Sequence, residues 1–303
     1  MYQPSTTTQA AGGQTLDSTA VGPVVTVRGL RKLYGEFEAL KGIDFELRAG
    51  EVFGLLGPNG AGKTTTVEIL EGYRPRDGGE VEVLGTDPAT AGLDWRARIG
   101  VVLQSSAMYE NLTVAESLAQ FAGYYEEPRP VDEVVELIGL EAKRHDRVRR
   151  LSGGQRRRLD LGLALVGDPE LIFLDEPTTG FDPGARRRAW ETIRSLSALG
   201  KTILLTTHYL DEVEQLADRV AVLREGRIVA SGTPQDLTGA TPATEIRYRE
   251  NGREVVVQTD DPTRVLHELT GRALEHGGEL QGLEVRRPTL EEVYLSLTQD
   301  EPE

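Results

Sequence analysis

Short apolar runs alternate along this chain with stretches in which apolar residues recur every three or four positions. The runs at residues 52–56, 99–103, 171–174 and 202–205 carry almost no polar positions, the pattern of strands buried on both faces of a parallel sheet. Residues 24–27, the alternation of Ile43, Phe45 and Leu47, and residues 80–84 predict a smaller antiparallel sheet beside it. From residue 105 to residue 150 no strand pattern occurs. Residues 113–125 and 130–140 read as helices there, with Val114, Leu118 and Phe121 on one face and Val134, Leu137 and Ile138 on another. A strand pair at 219–223 and 227–230, turned at Glu225-Gly226, closes the core near Leu237. The pattern predicts an α/β fold over residues 23–239: a parallel-sheet core, an antiparallel β subdomain and a helical insertion at about 105–150.

The two ends read differently. Residues 1–22 are rich in Thr, Gln, Ser, Gly and Ala and are expected to be a disordered tail. Residues 240–303 are expected to form a small C-terminal α+β domain. Asn251-Gly252 is a two-residue hairpin turn; pairing outward from it sets Tyr248 opposite Val255, Ile246 opposite Val257 and Arg249 opposite Glu254. Asp261-Pro262 starts a helix carrying Val265, Leu266 and Leu269, and Thr289 with Glu292 has capping-box spacing ahead of Leu290, Val293, Tyr294 and Leu297. No catalytic constellation occurs in this part, which suits a stabilising or contact module.

Composition narrows the function classes. A chain of 303 residues with 38% apolar content can build a real core. It has no run of about eighteen apolar residues, so no direct membrane span is expected, and its start lacks a secretory pattern. Cysteine is absent, which excludes thiolate nucleophiles and zinc–thiolate centres. The four histidines are scattered. A formal charge of −15 argues against a nucleic-acid partner, because such binding draws on neutralised phosphates. One stretch opposes the trend: residues 141–158 hold eight Lys/Arg against two acids.

The strand at 52–56 runs into Gly57, Pro58, Asn59, Gly60, Ala61, Gly62, Lys63, Thr64 and Thr65, which match the phosphate-loop pattern G-x-x-x-x-G-K-[ST] without a mismatch. A helix is expected over residues 65–71. Glycines let backbone N–H groups turn inward around phosphate oxygens, and the helix start adds roughly half a positive charge. Lys63 supplies a full charge to the outer phosphates, and the Thr64 hydroxyl can ligate Mg²⁺. The loop predicts a nucleoside triphosphate site. Three further strands end in polar residues: Gln104, Asp175-Glu176 and His208. Ligands of open α/β sheets bind beyond the carboxyl ends of the strands, so four elements deliver groups to one crevice.

Residues 151–155, Leu-Ser-Gly-Gly-Gln, form the second informative stretch. Ser152 and Gln155 have capping-box spacing, so a helix should begin there. Gly153 and Gly154 weaken its first turn by about 1 kcal/mol each relative to alanine, a cost that makes sense where something must approach the backbone closely.

These motifs together resemble the nucleotide-binding subunit of ATP-binding cassette (ABC) transporters. The resemblance covers residues 24–237 and includes the phosphate loop, Gln104, residues 151–155, residues 171–177, Gly180-Phe181-Asp182-Pro183 and His208, in family order. It implies the phosphate-loop NTPase cassette fold, ATP as substrate and Mg²⁺ as cofactor. It further implies that Asp175, with Thr64 and Gln104, helps hold the metal, that Glu176 polarises the attacking water, and that His208 contacts the γ-phosphate beside Lys63. Tyr34 is similar to the aromatic that stacks on adenine. In the family two cassettes dimerise head to tail, so Ser152, Gly153, Gly154, Gln155 and Asp182 would complete the site of a second copy. Two departures stand out: Leu163 replaces an arginine common in the family, and Phe181 stands where leucine is commoner.

Residues 54–66, 206–209 and 288–294 resemble the drug- and polysaccharide-export type, including daunorubicin-resistance-like ATPases, which pair with a separate polytopic membrane permease. The expectation is therefore an ATP-hydrolysing motor subunit of an exporter, acting as an ATP-dependent homodimer at the cytoplasmic face of the cell membrane. The alternative is a soluble, non-transport ABC ATPase of the translation, repair or cluster-assembly type.

Overall fold

The computed structural model describes residues 22–102, 109–239, 244–250, 252–275, 278–286 and 289–298. The chain opens with β1 (Val25–Tyr34) and β2 (Phe37–Leu47), continues into β3 (Val52–Leu56), α1 (Lys63–Leu70), β4 (Gly78–Val83), the short α2 (Leu93–Arg96) and β5 (Ile99–Val102). The helical insertion holds α3 (Val114–Ala122) and α4 (Val131–Leu137) and leads to α5 (Gly153–Leu165). Next come β6 (Leu171–Asp175), α6 (Pro183–Ala198), β7 (Thr202–Thr207), α7 (Leu210–Leu216), β8 (Arg219–Arg224), β9 (Arg227–Gly232) and α8 (Pro234–Gly239). The C-terminal part holds β10 (Thr244–Glu250), β11 (Arg253–Thr259), α9 (Pro262–Glu275), β12 (Gln281–Arg286) and α10 (Leu290–Thr298).

Six strands form the central sheet in the order β5-β6-β7-β3-β8-β9, parallel except for β8 with β9. Its inner strands are buried on both faces, which is why their sequences read as unbroken apolar runs. Phe53, Leu55, Leu171, Phe173 and Leu204 face a core shared with α1 and the antiparallel sheet β2-β1-β4. Val52, Ile172, Leu174, Ile203 and Leu205 face the opposite core, filled from the helical insertion and α5 by Leu118, Val134, Ile138 and Leu159. The insertion buries Val135 as well, whereas Leu137, expected on the apolar face, is half-buried. Because α4 ends at Leu137, Ile138 and Leu140 follow it into the core as loop residues.

The C-terminal sheet has the order β11-β10-β12. Its hairpin register is the one the Gly252 turn dictates: Tyr248 opposite Val255, Ile246 opposite Val257, Arg249 opposite Glu254. Asn251 itself lies outside the described residues. Val265, Leu266 and Leu269 of α9 cover the apolar face of that sheet. The last helix, α10, goes elsewhere. Capped by the reciprocal Thr289 and Glu292 bonds, it lays Leu290 and Tyr294 against Val213, Val220, Val222 and Leu237 of the cassette.

One close approach fixes how α5 meets the central sheet. At Gly100 in β5, an added Cβ would lie 2.6 Å from the Ala164 carbonyl oxygen and 3.0 Å from Pro169 Cγ, so only glycine lets α5 seat on the sheet edge. Gly100→Ala should destabilise the protein by about 1–3 kcal/mol through this overpacking, read as a lowered urea midpoint; an unchanged midpoint would show that α5 can shift freely. At the C-terminal end of α1, Glu71 is half-buried. Burial pushes its carboxyl up to about 8, with the Asp175 and Glu68 charges adding to the rise. A raised carboxyl holds its proton in the folded state while the unfolded chain has lost it, so stability from this group falls as pH climbs from about 4.5 to about 8. Glu71→Gln should therefore raise the thermal midpoint at pH 8 and leave it nearly unchanged at pH 4.5, and equal shifts at both pH values would refute the buried-proton account.

Candidate functional site

The central sheet places the carboxyl ends of β6, β7 and β3 side by side, with Asp175 paired to Thr206 and Leu56 paired to Thr207. The phosphate loop leaves β3 here. Its backbone is held by the Gly57 N–H donating to Thr207 O at 3.2 Å and the Gly226 N–H donating to Ala61 O at 3.1 Å. At Gly57 a Cβ would come within 2.3 Å of the Leu223 carbonyl oxygen. Gly62 has φ 109° and no side chain to cap α1, so the first N–H groups of the helix stay open toward the loop. The helix begins at Lys63, two residues earlier than the sequence pattern suggests. Lys63 and Thr64 are thereby fixed as the first helical residues rather than as loop.

Lys63 is 4% exposed. Its ammonium donates to Gly57 O at 2.8 Å and Pro58 O at 3.2 Å and lies 3.4 Å from Glu176 Oε1. Burial holds its pKa below the usual lysine value, against the opposing pull of Glu176 and Asp175. His208 Nδ1 lies 3.3 Å from the same Glu176 Oε1. The Glu176 carboxyl feels burial pushing it up, but the His208 hydrogen bond and the Lys63 charge outweigh this and hold it below the ordinary glutamate value. It is thus ionised and gripped between two groups that a phosphate could also engage. Thr179 Oγ1 donates to Glu176 Oε2 at 3.1 Å.

Thr64 Oγ1 donates to Asp175 Oδ2 at 3.2 Å, which brings a hydroxyl and a carboxylate oxygen together at the mouth of the loop. Two hard oxygens and no larger ligand cage suit Mg²⁺, which keeps several waters and takes one or two protein oxygens plus phosphates; among the described residues no cluster of three or more His, Cys, Asp or Glu forms a metal cage. Gln104, the third expected metal contact, lies outside the described residues. Tyr34 is 42% exposed, with its hydroxyl 3.4 Å from Thr65 Oγ1 and the Arg74 guanidinium 5.3 Å from its ring centre.

The remaining expected residues sit apart from this cluster. Ser152 accepts from the Gln155 N–H at 3.3 Å while the Gln155 side chain accepts from the Ser152 N–H at 2.9 Å, the reciprocal cap that starts α5. Asp182 caps α6 by accepting from the Ala185 N–H at 2.9 Å. Residues 152–155 and Asp182 line one cleft of about 760 Å³, with Glu176 and Thr179 on its wall and none of residues 57–65 in it.

Two groups in the cluster escaped the sequence reading. Thr206 Oγ1 donates to Asp175 Oδ1 at 2.5 Å and accepts from the Glu176 N–H at 3.1 Å. Arg157 donates from Nη2 to Asp175 O at 2.9 Å and from Nε to Pro177 O at 3.3 Å. The signal for Thr206 was its place in the Thr-Thr pair just before His208. For Arg157, one of three consecutive arginines, the sequence offered none.

Comparison with known proteins agrees with the geometry. Residues 40–179 match the family model described as ABC transporter, and residues 233–289 match the C-terminal domain of ABC transporter domain-containing protein-like chains. The chain is 41% identical to the daunorubicin resistance ATP-binding protein DrrA3 of Streptomyces coeruleorubidus, over 91% of this chain and 96% of that one. It is 40% identical to the Nod factor export ATP-binding protein I of Rhizobium sp. (strain N33), over 92% of this chain and 98% of that one. Among solved structures it resembles an ATP-binding cassette of an ABC transporter in its ADP conformation, with a TM-score of 0.61 and 27% identity over 71% of this chain and 93% of the other. The chain belongs to the ATP-binding subunits of ABC transporters, the ATPase motors of those systems.

Proposed function

We propose that two copies of this chain bind MgATP head to tail and hydrolyse it to drive a separate membrane permease in export. The observation that carries this reading is the split of the site. Lys63, Glu176 and His208 converge on the phosphate loop, while residues 152–155 and Asp182 open onto a cleft that Glu176 borders but that neither Lys63, His208 nor any of residues 57–65 lines. Gly153 sharpens the point. Among the described residues a Cβ there would meet nothing within 4 Å, so they give no reason for a residue that weakens the helix by about 1 kcal/mol. A phosphate held by a second copy supplies the reason, since a helix start with free N–H groups binds anions best when nothing stands in front of it.

In the proposed reaction a water attacks the γ-phosphorus, the bond to the bridging oxygen breaks and ADP leaves with that electron pair. Glu176 Oε1 orients the water and accepts its proton. Lys63 exchanges the Gly57 and Pro58 carbonyls for phosphate oxygens, and His208 passes from Glu176 to the γ-phosphate. Thr64 and Asp175 would hold Mg²⁺, which when bound neutralises charge on the phosphate oxygens. Tyr34 offers its exposed ring to adenine. The names of the relatives, one for drug resistance and one for export, favour an export motor over a soluble ATPase of another kind. No helix among the described residues is long and apolar enough to cross a membrane. In the proposed arrangement a separate permease forms the pore and this chain sits at the cytoplasmic face.

Glu176→Gln should retain MgATP binding and lower kcat by about 10²–10⁴-fold, the usual contribution of a general base, while stabilising an ATP-bound dimer visible by light scattering. Hydrolysis near the wild-type rate would remove Glu176 from its role. Lys63→Ala should weaken MgATP binding in calorimetry by at least about tenfold, because it deletes the buried cation facing the outer phosphates; an unchanged Kd would count against the phosphate-loop assignment.

A further inference from the structure

One cation in the region has no part in the proposed chemistry. Arg157 lies in the second turn of α5, the helix whose first turn is Ser152–Gln155. Its guanidinium forks onto the backbone on either side of Glu176, with Nη2 on Asp175 O at 2.9 Å and Nε on Pro177 O at 3.3 Å. Asp160, one helical turn on, lies 4.0 Å from Nη1. The side chain is 13% exposed, and the planar fork of an arginine suits two carbonyl acceptors at once as a lysine could not.

The residue clamped between those carbonyls is strained. Glu176 has φ 46°, a conformation that costs a non-glycine residue about 1–2 kcal/mol. It persists because its neighbours over-determine it. The Glu176 N–H donates to Thr206 O at 3.2 Å and to Thr206 Oγ1 at 3.1 Å, and Arg157 holds both flanking carbonyls. The kink directs Glu176 Oε1 toward His208 and Lys63. The clamp therefore sets the aim of the carboxylate.

We infer that Arg157 is a positioning residue that ties the aim of Glu176 in one ATP site to the seating of the Ser152–Gln155 helix start on the ATP of the other. This rests on the proposed head-to-tail dimer. Docking of the helix start onto a nucleotide held by the partner pulls on α5, and the Arg157 fork carries that displacement to the peptides at Asp175 and Pro177. Each half of the dimer thereby senses, through one side chain, whether the opposite site is filled before its own carboxylate is aligned.

The test compares Arg157→Gln with the wild type and repeats both in the Glu176→Gln background. Arg157→Gln should lower kcat by roughly 10²-fold, the scale of a 1 Å misplacement, with the KM for ATP within about threefold. In the Glu176→Gln background it should leave the ATP-dependent dimer intact, since the loss concerns aim and not assembly. Arg157→Lys, which keeps the charge and one of the two contacts, should recover part of kcat at unchanged KM. Should Arg157→Gln fail to fold, a wild-type kcat in Arg157→Lys overturns the inference. It is also overturned if Arg157→Gln turns over within twofold of wild type, or if it abolishes the dimer that Glu176→Gln alone forms. A Glu176→Gln chain that stays monomeric with ATP overturns the dimer reading itself, a result separate from any effect of Arg157 on kcat.

Discussion

Everything in the site depends on the register of three parallel strands. With Asp175 opposite Thr206 and Leu56 opposite Thr207, the ends of β6, β7 and β3 stop at the same level, and the groups that follow them meet at one crevice. A slip of one residue would turn each strand's side chains to the other face. Phe173 would then leave the core it shares with Phe53 and Leu204, and Leu174 the core it shares with Leu205. Burial on both faces thus fixes chemistry that lies beyond the strands. The hydrophobic cores and the proposed catalytic cluster are one constraint seen from two ends.

The crevice that results is assembled from carbonyls and hydroxyls as much as from charged groups. Lys63 is sunk among backbone oxygens, Asp175 is satisfied by Thr64 and Thr206, and Glu176 is held by His208 and Thr179. Charged groups buried this deeply are tolerated only when hydrogen-bonded. The Lys63 ammonium in particular donates to carbonyls that phosphate oxygens could replace.

The sequence made much of this legible, for reasons that can be assigned residue by residue. Unbroken apolar runs revealed the inner strands because both faces are buried, and the Asn-Gly turn revealed a hairpin register because turn length leaves one alternative. The reciprocal Ser152 and Gln155 cap was visible in their spacing. The start of α1 was misjudged by two residues, since Gly62 caps it with conformation and no side chain. Arg157 and Thr206 stayed hidden because their partners are backbone atoms and a carboxylate brought near by the sheet. The course of α10 was hidden as well: a local pattern shows that a helix has an apolar face and not which surface will cover it.

The glycines divide according to who requires them, and that division separates the two halves of the site. Gly57 is dictated by the Leu223 carbonyl and Gly62 by its φ of 109° and the nearby Leu40 side chain, so the phosphate loop is shaped by its own chain. Among the described residues nothing within reach dictates Gly153, and Gly154 meets only an ordinary contact with Ala185 Cβ at 3.5 Å. A loop shaped from within is preorganised and ready to bind. A helix start kept clear for something outside is incomplete until that something arrives. In the proposed head-to-tail dimer the loop is the finished half-site and the helix start the receptive one, joined within each copy by the path through Arg157 and Glu176.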